Sequence, residues 1–228
     1  KQFCTMILIS FFCVFLAAIP AHARDKFLDI QEIKSPSGIS AWLVEDHAMP
    51  IISLQFAFRG AGAAQEPIEK QGLSRLLSNT LDEGAGDLDS QAFQKTLNDH
   101  SISLGFGSGR DDFTGSLRTL TRHKDTAFHL LQLALTNPRF DPEAIERMRA
   151  ANIARIQSSL SDPEWIAARI MNDLAFAAHP YAQNSGGTLT SLKALTADDL
   201  KKFAATKLAK DNLLVGVAGD ITPEELKT

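Results

Sequence analysis

From Ile51 to Phe58 every second residue is strongly apolar: Ile52, Leu54, Phe56 and Phe58 alternate with Ile51, Ser53, Gln55 and Ala57. Successive side chains of a strand point to opposite faces, so this period of two predicts a strand with one face laid on a core. The runs FLDIQEI (27–33) and ISAWLVED (39–46) are also strand-like, and SPSG and HAMP between the runs supply turn chemistry. The period then changes. Leu73, Leu76, Leu77 and Leu81 recur at helical spacing, and residues 89–99 form a second short helix with Phe93 and Leu97 inward. Strand candidates at 101–107 and 111–119 follow, the first rich in glycine (LGFGSG).

The rest of the chain reads mainly as helix. Residues 122–136 carry Phe128, Leu131 and Leu135 on one stripe. Asp141-Pro142 and Asp162-Pro163 each place a capping side chain before a proline at the first helical position, which predicts helices over about 142–160 and 163–177. Thr196 with Asp199 resembles a capping box and opens a helix to about residue 208. NLLVGVAG (212–219) is a final buried strand, and Thr222-Pro223-Glu224-Glu225 starts a helix that reaches only Thr228, the pattern expected of the front part of a longer protein.

Composition separates residues 1–23 from the remainder. Lys1, the apolar run MILISFFCVFLAAI and the exit Ala21-His22-Ala23 form a secretory signal peptide cut after Ala23. The alternative, a membrane anchor, is disfavoured because the run falls short of the ~20 residues that span a bilayer. Both cysteines, Cys4 and Cys13, lie in this segment, so residues 24–228 have no thiol for a disulfide, a nucleophile or a metal. Those residues hold 22 basic and 27 acidic side chains, a net charge of −5 with no basic run, which argues against nucleic-acid binding. Overall the chain is 44% hydrophobic and 22% charged, an ordinary globular balance.

Local catalytic signatures are missing. No G-x-S-x-G elbow occurs, and GFGSG lacks the Lys-Ser/Thr ending of a phosphate loop. His47, His100, His123, His129 and His179 include no pair at i, i+4 on a helix.

Four segments, VEDHAMPIISLQFAFRGAGAAQEPIEKQGLSRLL, NPRFDPEAIERMR, HPYAQNSGGTLTSLKALTADDLKKF and VGVAGDITPEEL, occur in the order found in the N-terminal domain of the insulinase/pitrilysin family of zinc peptidases. The resemblance covers about residues 27–228. It implies an α+β domain, a mostly antiparallel sheet covered on one side by helices (the processing-peptidase-like metallohydrolase fold), spanning 24–228 and followed by a second homologous domain. In the family, two histidines one helical turn apart share a zinc ion, the Glu of His-x-x-Glu-His acts as general base, and a later helix supplies a Glu ligand.

On that alignment the first His falls on Arg75, the Glu on Ser78, the second His on Asn79, the distal Glu on Arg155 and a supporting Glu on Met148. Every aligned position is replaced, and an arginine cannot ligate zinc. The resemblance therefore implies a non-catalytic, pseudo-peptidase subunit with no cofactor of its own. It would be secreted to the periplasm and pair with a zinc-bearing subunit to form a chamber for peptide or unfolded polypeptide. The alternatives are an active metallopeptidase with its site elsewhere, or a stand-alone peptide-binding scaffold. Gly105, Phe106, Gly107 and Ser108 fall on the family's substrate-accepting edge strand, although a plain bend is the simpler reading of the glycines. Arg75 either binds a carboxylate or pairs with Asp82 or a partner's acid. His179, in the HPY motif, has a structural role.

Overall fold

The computed structural model describes residues 28–227; the expected signal peptide lies outside them. Among the described residues eight strands form two sheets. β1 (Gln31–Lys34), β2 (Ser40–Glu45), β3 (Ile51–Arg59), β6 (Ser103–Ser108), β7 (Asp112–Leu120) and β8 (Leu213–Gly219) make the main sheet, in the order β1-β2-β8-β3-β7-β6. β2 and β8 pair in parallel; every other pair is antiparallel. β4 (Gly84–Ala85) and β5 (Leu88–Asp89) form a separate miniature ribbon.

The period-two reading of 51–58 matches β3. Ile52, Leu54, Phe56 and Phe58 are buried, and register aligns them with Leu117 and Phe113 on β7 and with Val217 on β8. Together with Leu43 on β2 these side chains form one apolar face. Phe56 fills the space that Gly115 leaves on β7, where an added Cβ would come within 2.1 Å of the ring. The other face carries Trp42, Gln55, Thr114 and Leu214, all exposed.

Helices cover the apolar face alone. α1 (Leu73–Ser78), α2 (Ser90–Asp99), α3 (Lys124–Thr136), α4 (Pro142–Ser159), α6 (Leu189–Ala194) and α7 (Ala197–Lys207) each bury residues. Leu76, Leu77, Phe93, Leu130, Ile156, Leu192 and Leu200 join the strand residues in one core. This is the expected α+β arrangement.

Four expectations need correction. β1 begins at Gln31, and Leu28 and Ile30 before it are exposed, so they have no core to hold them in a ladder. α5 (Pro163–Ala175) stops two residues early; none of its residues is buried, and Ile170, Met171 and Leu174 stay exposed. Asp162 caps α5 by accepting from the Glu164 and Trp165 amides, but Asp141 makes no cap and instead accepts from Arg139 Nε at 2.7 Å. Finally, α6 is an additional helix with a capping box formed by Thr188 and Ser191. The turn at Thr222 does start a helix, α8 (Pro223–Lys227), with Thr222 and Glu225 bonding to each other's amides. Among the described residues no helix is long and apolar enough to cross a membrane.

Candidate functional site

The site is assembled around α1. Leu73, Leu76 and Leu77 are buried in the core, which fixes the rotation of this short helix and leaves Arg75 and Asn79 half-buried on its other side. Ahead of it, Gly72 has φ +87° and Gly187 φ +85°, and the two approach so closely that a Cβ on Gly72 would stand 2.8 Å from the Gly187 Cα. Only glycine meets both demands, left-handed backbone and no side chain, so the turn Asn184–Gly187 is held against the start of α1.

Glu66 secures the same helix start from beneath. Its carboxylate is 5% exposed and accepts from the Gly72 amide at 2.7 Å, the Ser74 amide at 2.6 Å and the Ser74 hydroxyl. Free amides at a helix N-terminus need acceptors, and a carboxylate is a strong one. Burial nevertheless raises the Glu66 pKa above its ordinary value, against the lowering effect of these hydrogen bonds. The Ser74 hydroxyl also lies 2.6 Å from the Ser108 hydroxyl at the end of β6.

Arg75 projects next to this network. Its Nη2 donates to the Ser108 carbonyl at 3.0 Å, and its buried Nε has no partner. The expected alternative pairing with Asp82 does not form; Arg75 is engaged with β6. Burial holds the guanidinium pKa below its usual value, the charge of Arg155 adds to that, and Glu66 partly offsets it. Arg155 is exposed on α4 and donates to Asn152 Oδ1 at 3.3 Å. It also flanks the Asn184–Gly187 turn: a Cβ on Gly186 would stand 3.7 Å from its Nη2.

Ser78 is buried and donates to the Arg75 carbonyl at 2.9 Å within α1. Met148, two turns before Arg155 on α4, packs partly buried against the core. The structure thus brings Arg75 and Arg155 into each other's electrostatic range across α1 and α4, while Ser78 and Met148 are absorbed in local structure.

Residues 55–188 match the family described as Insulinase (Peptidase family M16). The chain belongs to the insulinase family. Among curated relatives, it is 27% identical over 221 residues to the non-peptidase homolog YmxG of Helicobacter pylori, covering 97% of this chain and 49% of YmxG. It is 21% identical over 166 residues to a probable mitochondrial-processing peptidase subunit beta of Arabidopsis thaliana, covering 73% of this chain and 31% of the plant protein. The fold resembles the crystal structure of a peptidase M16 inactive domain from Pseudomonas fluorescens (TM-score 0.83, 24% identity, 88% of this chain and 48% of that one). It also resembles a protease from H. pylori (TM-score 0.78, 16% identity, 87% and 48%). The chain spans about half the length of YmxG and of both solved structures, and less of the plant subunit.

Insulinase-family chemistry implies a zinc ion, and the residues present do not fit one. Both Arg75 and Arg155 are permanent cations that offer donors and no lone pair. Among the described residues no three His, Cys, Asp or Glu side chains converge to hold a metal.

The glycine-rich segment is β6, at the edge of the sheet, and among the described residues β7 is its one strand neighbour. Phe106 packs partly buried against the core, its ring 6.2 Å from Phe56 and 6.3 Å from Phe113. Gly105 and Gly107 lie on the opposite face, next to Ser116 and Thr114. Ser108 is buried, with its hydroxyl at Ser74 and its carbonyl at Arg75. His179 caps a 3-10 turn through the Tyr181 amide and stacks edge-on with the Tyr181 ring, while the Tyr181 hydroxyl donates to Asp111 at 2.7 Å.

Sequence reasoning overlooked Glu66, Asn152 and the buried Arg149. Arg149 donates to the carbonyls of Leu192 and Leu195 and so ties α4 to the end of α6. Nothing local marks these residues, because the Glu66 partners lie 6 and 8 positions away, the carbonyls that Arg149 reaches lie 43 and 46 away, and the Asn152 partner is on its own helix face. A cleft of about 700 Å³ lies beside the site, between the end of α4, α5 and residues 178–190; Ile156, Leu160, Trp165 and Leu189 make it largely apolar.

Proposed function

We propose that this chain is a non-catalytic insulinase-family subunit that holds peptide on the β6 edge and pairs with a zinc-bearing homologue to form a substrate chamber. One observation carries this reading: the α1 and α4 positions aligned with the family's zinc ligands hold Arg75 and Arg155, whose charges oppose a cation, with Asn79 in place of the remaining histidine. Ser78, aligned with the general base, spends its hydroxyl on the Arg75 carbonyl. The names of relatives support the same direction, since YmxG is a non-peptidase homolog and the P. fluorescens structure is an inactive domain. An unpaired strand edge can add a peptide strand through main-chain hydrogen bonds, and β6 has such an edge. Export to the periplasm, with the signal cut after Ala23, belongs to the same proposal; N-terminal sequencing of the protein from a periplasmic extract tests it.

The deciding experiment measures metal content and peptidase activity of the purified full-length protein, alone and mixed with a homologue that keeps His-x-x-Glu-His. The expected result is no stoichiometric zinc and no cleavage alone, with the partner's activity raised on mixing. Zinc at about one per chain with chelator-sensitive cleavage by the protein alone would overturn the proposal.

A further inference from the structure

The replaced metal site has kept a definite chemistry. Neither Arg75 nor Arg155 has a carboxylate within 4.0 Å among the described residues, although both are near enough to repel. Glu66, whose charge also reaches Arg75, has its oxygens taken by the Gly72 and Ser74 amides and the Ser74 hydroxyl. Two further donors are buried and idle: Arg75 Nε, and Nδ2 of Asn152, a residue 5% exposed whose Oδ1 faces Arg155. A buried donor without an acceptor forfeits the hydrogen bond it had in water, so the surplus of donors calls for an acceptor from outside.

That acceptor should be anionic and forked. A guanidinium presents paired N–H groups whose geometry fits a carboxylate, and a single carboxylate between two arginines relieves their repulsion as well. Position narrows the source. Arg75 is bonded to the Ser108 carbonyl, at the very end of the open edge of β6, so a group bound there is the next thing met by a peptide strand leaving that edge.

We propose that Arg75 and Arg155, assisted by Asn152, form a carboxylate-binding site that anchors one acid of a peptide held along β6. The site rests on the proposed role of β6 as a peptide-accepting edge. It makes this subunit selective for acidic segments or for free C-termini, where a zinc-bearing relative would cut.

The test uses the full-length protein and three octapeptides of Ala, Thr and Val carrying an uncharged BODIPY label: one with a free C-terminal carboxylate, one amidated, and one amidated with a single internal Glu. Binding is read by anisotropy at pH 7 in low and high salt. The expected result is that at least one carboxylate-bearing peptide binds about tenfold more tightly than the neutral amide, and which one does so identifies the acid as terminal or side-chain. Arg155→Gln, at an exposed position, should erase the difference between the carboxylate-bearing and neutral peptides; Arg75→Gln, which also removes the bond to the Ser108 carbonyl, should erase it as well. Equal binding of all three overturns the carboxylate site and leaves the peptide edge standing. If no peptide binds, the Arg75 Nε–Hε resonance of nitrogen-15-labelled protein decides: a shift with acetate but not with acetamide retains the carboxylate site and removes the peptide edge, and no shift with acetate overturns the site.

Discussion

The Arg75 guanidinium reaches the Ser108 carbonyl, Nη2 to oxygen 3.0 Å, and so joins the half-buried side of α1 to the end of the sheet's edge strand. One residue earlier, Ser74 makes a parallel link: its hydroxyl lies 2.6 Å from that of Ser108 and also donates to Glu66. Two neighbouring side chains of a six-residue helix thus hold the end of β6, and Glu66 holds the helix.

Removing Glu66 should therefore disturb more than one hydrogen bond. Glu66→Ala leaves the Gly72 and Ser74 amides buried without their acceptor, and a loss of about 3 kcal/mol is expected in urea unfolding, given about 1–3 kcal/mol per unsatisfied buried group. Glu66→Gln keeps one acceptor oxygen and should lose about half as much. A loss under about 0.5 kcal/mol for the alanine variant, the range of an ordinary surface change, would show that Glu66 does not hold the helix start.

Asp82, just beyond α1, is held by burial at a pKa of about 6, well above its ordinary 3.8, with the Glu83 charge adding to the rise. A folded pKa above the unfolded one means that the native state binds the extra proton. The stability contribution is then fully present below about pH 3.8 and is lost as the pH rises through about 6. Asp82→Asn removes this cost. It should raise stability by about 3 kcal/mol at pH 8, since each tenfold change in proton affinity on folding is worth about 1.4 kcal/mol, and have little effect at about pH 3.5. Urea midpoints of both proteins at the two pH values check it; a gain that persists unchanged in acid would exclude titration of Asp82 as the cause.

Arg149 is 9% exposed and bridges α4 to the carbonyls of Leu192 and Leu195, with Glu146 on its Nε at 3.1 Å. Arg149→Ala should cost about 3 kcal/mol, because two buried carbonyls lose a charged donor and the side chain leaves a void. Arg149→Lys should recover little of it: one ammonium cannot reproduce a planar fork that spans two carbonyls and a carboxylate. Thermal unfolding of the two variants separates these outcomes, and full rescue by lysine would refute the fork argument.

The sheet and most helices were legible because burial in them follows a single period. Ile52, Leu54, Phe56 and Phe58 all face the core, and Phe93 and Leu97 do so on α2. Elements too short to show a period were lost: β4 and β5 have two residues each, and α6 has six, its cap completed by Ser191 where the usual box has Glu or Gln. The Asp141-Pro142 pair looked like Asp162-Pro163, but Arg139 is near enough to take the Asp141 carboxylate. At the site, linear alignment located Arg75, Ser78, Asn79, Met148 and Arg155 by number. It could not place the Glu66 network or the idle Asn152 donor, because these depend on which residues three-dimensional packing brings together. The histidines gave another such case: His100 and His123, far apart in sequence, meet edge to face at 4.9 Å.

If α1 and α4 still carry the frame of the family's metal site, then restoring the side chains should restore the metal. The backbone requirement is modest: positions 75 and 79 must stand one turn apart on α1, and position 155 must face them from α4. Both ends of that frame are in place: Arg75 lies on α1, and Arg155 on α4 flanks the Asn184–Gly187 turn that packs on the start of α1. Arg75→His, Ser78→Glu, Asn79→His and Arg155→Glu together exchange two cations for a neutral and an anionic ligand, and they supply the tetrahedral N and O donors that zinc takes. The combined variant should bind about one zinc per chain, measured by elemental analysis after dialysis, and its melting temperature should rise on adding zinc, since a ligand bound only by the folded state stabilises it. The variant lacking only Arg155→Glu should bind at least tenfold more weakly, because it keeps a positive charge where the third ligand belongs. If the combined variant folds and binds no zinc, α1 and α4 have moved apart from the catalytic geometry, and the alignment of Arg155 with the distal glutamate is wrong.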